Sequence, residues 1–75
     1  MGTTKMKYDY SRLNGRIVEK FGTRKAFAAA LNLSEHSLSL KLNNRIPFKQ
    51  SEMERSCELL EVPIALVSDF FYVRS

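Results

Sequence analysis

The chain has 75 residues, 44% of them apolar and 27% charged, the make-up of one ordinary globular domain. A domain of this size buries only about 60% of its unfolded surface, which excludes deep substrate clefts, TIM barrels and dinucleotide folds. The net charge of +4 is unevenly placed: residues 1–49 hold ten basic and three acidic side chains and residues 50–75 two and five, a basic front of the kind that meets a polyanion, most often nucleic acid.

Residues 1–8 are polar, basic and unpatterned, and read as a flexible N-terminal arm ahead of a domain spanning 9–75. From there Tyr10, Leu13, Ile17 and Phe21 recur at helical spacing with Val18 beside them. Asp9 or Ser11 is the N-cap, and Gly22 the C-terminal stop. Gly15 falls inside this helix and costs about 1 kcal/mol relative to Ala, either tolerated or marking a close helix contact. Thr23 caps a second helix, Arg24 to Leu31, and Asn32 suits the left-handed position that ends it. Ser34 caps a third, about Glu35 to Asn43, stopped by Asn43-Asn44. Ile46-Pro47-Phe48 is a loop with two apolar anchors. Ser51-x-x-Glu54 matches a capping box opening a fourth helix to about Leu60, with Met53, Cys57 and Leu60 on one face. Pro63 suits the start of a short fifth helix, roughly Ile64 to Phe70. The expected fold is all-α: a compact bundle of about five short helices.

Residues 23–45, TRKAFAAALNLSEHSLSLKLNNR, carry the functional signal. Small Ala28 suits a close helix crossing, Asn32 a tight reversal, and Leu38 the buried side of the second helix. This pattern resembles the helix-turn-helix of the lambda-repressor-like (Cro/C1-type) DNA-binding domains. It is similar above all to small Cro-like regulators encoded by temperate phages of Gram-positive hosts. The order of the flanking helices follows that family as well.

The resemblance implies a sequence-specific double-stranded DNA-binding repressor whose helix 35–43 enters the major groove of an operator. Glu35, His36, Ser39 and Leu40 are then the base-reading candidates; Glu35 can accept from a cytosine amino group and Leu40 can meet a thymine methyl. Bland readings stand beside these: Glu35 as a dipole-stabilising surface acid, His36 as a solvated histidine, Leu40 as a lone exposed apolar residue. Arg24, Lys25, Lys41, Asn43, Arg45 and Lys49 are the phosphate candidates, Lys41 by laying its stem on the core while its ammonium reaches the backbone. The apolar end, Phe70, Phe71, Tyr72 and Val73, is the expected homodimer interface.

An alternative partner is another phage regulator: a protein of this fold can bind a phage repressor instead of DNA, which Glu35 and Leu40 would suit. No nucleophile, base and orienting group stand at usable spacing, so no enzyme and no cofactor are expected. Lone Cys57 forms no intramolecular disulfide and, with His36, falls short of a zinc ligand set. No membrane span or long apolar leader is present in the sequence, so a cytoplasmic location is expected.

Overall fold

Backbone hydrogen bonding and capping divide the computed structural model, which describes residues 7–74, into five α-helices. They are α1 (Ser11–Phe21), α2 (Arg24–Ala30), α3 (Glu35–Leu42), α4 (Gln50–Leu60) and α5 (Val67–Phe71), with a 3-10 turn at Ile64–Leu66 leading into α5. Among the described residues there is no strand, only an isolated antiparallel bridge between Tyr8 and Arg74. No helix of the described residues is long and apolar enough to cross a membrane. The expected flexible arm falls mostly on residues 1–6, outside the described residues. Its last residue, Tyr8, is tied down.

The helix starts follow from local polar chemistry. The Thr23 hydroxyl accepts from the Ala26 N–H at 3.1 Å, and the Ser34 hydroxyl from the Ser37 N–H at 3.0 Å. Each satisfies one of the donors a helix N-terminus leaves open. Before α1, the Asp9 carboxylate accepts from both the hydroxyl and the N–H of Ser11, and these bonds hold its pKa below the ordinary value. The box expected at Ser51 and Glu54 lies two residues earlier. Glu52 accepts from the Lys49 N–H at 2.9 Å, and α4 begins at Gln50.

The helix ends use left-handed residues. Gly22 (φ 82°) ends α1, and Asn32 (φ 63°) and Asn44 (φ 62°) follow α2 and α3 as their composition predicts. At each asparagine its own N–H and the next one turn back on the helix: Asn32 donates to Ala29 at 3.0 Å and Leu33 to Ala28 at 2.8 Å, and Asn44 donates to Lys41 at 3.2 Å and Arg45 to Leu40 at 2.9 Å. Glu61 (φ 56°) ends α4 the same way, with Val62 donating to Cys57. Glutamate is a poor left-handed residue. Here it also pairs with Lys20 at 3.0 Å, linking the end of α4 to α1.

The core is built from Leu13 and Ile17 of α1, Phe27 and Ala28 of α2, Leu38 and Leu42 of α3, Cys57 and Leu60 of α4, and Phe71 of α5. Ala28 is 1% exposed, and α2 packs against both α1 and α3. Val18, read as part of the apolar face, is exposed. Gly15 is exposed, and a Cβ built there meets nothing within 4 Å. It therefore marks no close contact inside the domain. Gly15→Ala is expected to raise stability by about 0.5 to 1 kcal/mol by relieving the entropy cost of glycine in a helix. Thermal unfolding checks this, and a lower midpoint would refute it.

Candidate functional site

The turn between α2 and α3 and the exposed side of α3 form the surface that the sequence singles out. Because Leu38 and Leu42 point into the core, Glu35 and His36 are exposed at the front of α3, with Ser39 and Leu40 half-buried behind them. Arg24 and Lys25 are exposed on α2, and Arg45 and Lys49 on the loop after α3. None of these four cations takes part in an ion pair among the described residues.

Two of the expected phosphate contacts are engaged elsewhere. Lys41 is only 5% exposed. Its ammonium sits 3.0 Å from the Glu52 carboxylate and donates to the Pro47 carbonyl at 3.1 Å, with the Phe48 ring 5.9 Å away. An ammonium enclosed in this way cannot reach a backbone outside the domain. Burial pushes the Glu52 carboxyl up, but the Lys49 N–H and then the Lys41 ammonium outweigh it and hold the pKa below the ordinary value. Asn43 folds back along its own helix, donating to the Ser39 carbonyl at 2.9 Å. The lone lysine of α3 is thus buried, and the outward side of α3 presents no lysine or arginine.

The apolar C-terminal segment also differs from expectation. Phe71 is 2% exposed and belongs to the core, so it cannot serve as a surface anchor. Phe70 is half-buried, with the Arg12 guanidinium 5.3 Å from its ring centre. Only Tyr72 and Val73 are exposed, and Val73 is tied by its carbonyl, which accepts from the Asp9 N–H at 2.7 Å.

An arrangement the sequence does not announce lies beside α3. Asn44 clasps the backbone of Tyr8 with both ends of its side-chain amide: the oxygen accepts from the Tyr8 N–H at 2.8 Å, and the nitrogen donates to the Tyr8 carbonyl at 3.0 Å. This clasp lays Tyr8 onto a run of aromatic rings. Tyr72 meets Tyr8 at 5.7 Å, Tyr8 meets Tyr10 at 6.2 Å, Tyr10 meets Phe48 at 5.4 Å and Phe48 meets Phe71 at 5.1 Å, mostly edge to face. Burial, with the neighbouring Tyr8 and Tyr72 phenols, pushes the Tyr10 hydroxyl pKa up. Asparagine after a helix signals only a turn. Its bond to a residue 36 positions away leaves no local trace in the sequence.

Comparison with known proteins bears on identity. The family described as "Protein of unknown function (DUF739)" matches residues 6–74. Among solved structures, the chain is similar to the modulator of repression (MOR) of the temperate bacteriophage TP901-1 from Lactococcus lactis. The identity is 42%, covering 87% of this chain and 88% of that one, with a TM-score of 0.77. No curated protein matches. These findings overturn the placement among Cro/C1-type repressors. They overturn with it the expected role of DNA-binding repressor and the expectation of operator DNA as the main partner. The helix-turn-helix is present; the family that carries it here is a different one. From its sequence over nearly its whole length, the chain belongs to the DUF739 family.

Proposed function

We propose that this protein is a modulator of repression, a small regulator that acts by binding a repressor protein rather than an operator. The observation that carries this reading is the 42% identity to the phage modulator over 87% of the chain.

The surface of α3 supports it. Its one lysine, Lys41, is buried against Glu52, while Glu35 stands exposed at the front of the helix. An exposed carboxylate with no neighbouring cation on the same helix repels phosphates and attracts a basic protein surface, such as the DNA-binding face of a repressor. The protein then works in the cytoplasm, by association and without catalysis or cofactor.

The test uses the repressor encoded in the same genome. The purified chain should retain that repressor in a pull-down and relieve its gel shift of operator DNA, while producing no shift alone. Glu35→Lys should weaken the complex about tenfold, the loss of one favourable charge at a desolvated contact. A chain that shifts operator DNA alone and fails to retain the repressor would overturn the proposal.

A further inference from the structure

The aromatic run borders a surface cavity of about 510 Å³. Tyr8, Tyr10, Phe48, Phe71 and Tyr72 supply its rings, and Ile46, Pro47 and Met53 the rest of its apolar wall. Sites that take ligands span roughly 300 to 1,000 Å³ and combine such walls with a few placed polar groups. This one has room for a large side chain together with its neighbours along a peptide.

The polar groups narrow the choice of occupant. Asn44 lines the cavity, but both ends of its amide are held by Tyr8. Lys41, its ammonium 5.9 Å from the Phe48 ring, is not on the lining and is closed off by Glu52. The remaining charge on the lining is Arg45, which is exposed and has no ion pair among the described residues; no lining residue is acidic. A guanidinium is a planar fork matched to a carboxylate. Tyrosines with an arginine at the edge of an apolar pocket are the residues that anchor protein partners. One free cation is too little for a phosphate backbone, which nucleic-acid grooves track with many.

We infer that this cavity is a docking site for a repressor segment that places a large aliphatic or aromatic side chain against the wall formed by Tyr8, Phe48 and Tyr72 and an adjacent carboxylate on Arg45. The inference rests on the repressor-binding reading and adds to it a second contact, separate from the outward side of α3. Ile46 and Tyr72, 40% and 48% exposed, are the apolar residues at the mouth that such an anchor would cover.

The experiment is calorimetric titration of the full chain with the same repressor, using exposed substitutions that leave the core intact. Melting curves confirm that each variant folds. Arg45→Glu and Ile46→Asp should each raise Kd about tenfold or more, as loss of an anchor contact does. Arg45→Lys should retain part of the affinity, and Arg55→Glu, the same charge change on α4, should leave it within about twofold. If Arg45→Glu and Ile46→Asp bind like the wild type, the docking site is wrong while repressor binding stands. If the wild type binds no repressor, both fail. If the cavity variants instead lose binding to a fluorescent dT15 oligonucleotide, and not to the repressor, the site belongs to nucleic acid and the inference is overturned.

Discussion

Lys41→Met is expected to destabilise the domain by about 3 to 5 kcal/mol, because it leaves the Glu52 carboxylate largely buried and without its cation. For a domain of this size that corresponds to a melting temperature lower by more than about 10 °C. Lys41→Met combined with Glu52→Gln should recover most of the loss. The glutamine removes the stranded charge and still accepts from the Lys49 N–H.

The pH dependence separates this account from simple loss of packing. In the wild type the pKa of Glu52 is held below its ordinary value. The stability it contributes is therefore complete above the unfolded-state carboxylate pKa and lost as pH falls through the lower folded value. In Lys41→Met, burial acts without the opposing ammonium and should raise that pKa. Lowering the pH then protonates a destabilising charge, and the gap to the wild type should narrow. Urea unfolding at neutral and acid pH measures this; a gap independent of pH would assign the effect to packing.

Phe71→Ala is the second large effect, expected at about 3 to 5 kcal/mol for a buried phenylalanine. Its ring meets Phe48 edge to face and packs beside Leu13, Cys57, Leu60, Val62 and Phe70. Phe71→Glu should unfold the domain outright, since it buries an unpaired charge. Tyr72→Ala, one residue on, removes an exposed ring whose partner is Tyr8 and should cost about 0.5 to 1.5 kcal/mol. Loss of association in a Phe71 variant would thus report unfolding, and Tyr72 is the residue with which to probe the surface. Denaturant melts of the three variants check the order, and a Phe71→Ala loss no larger than that of Tyr72→Ala would contradict it.

What the sequence makes legible is what short-range chemistry dictates. Thr23 and Ser34 start their helices, and Gly22, Asn32 and Asn44 end theirs, because each acts within a few residues of itself. Those five positions are enough to draw the helix-turn-helix. Long-range pairings stay hidden. Lys41 sits at the margin of the apolar arc, and only its meeting with Glu52 across the loop makes burial favourable. Phe71 and Tyr72 are equally apolar neighbours in a short tail, and the choice between core and surface depends on where Phe48 lies.

Function is a separate matter. Ala28, Asn32 and Leu38 serve the geometry of two crossing helices, and that geometry is the same whether the outer face meets DNA or a protein. The residues that differ in meaning are Glu35, exposed and acidic, and Lys41, hidden. The second cannot be read without the fold.

The bridge between Tyr8 and Arg74 has a consequence for timing. The rings at the cavity come from both ends of the described chain, Tyr8 and Tyr10 from one and Phe71 and Tyr72 from the other. The cavity therefore exists only once these two distant segments have met, so it is assembled by tertiary folding and not by the formation of any single helix.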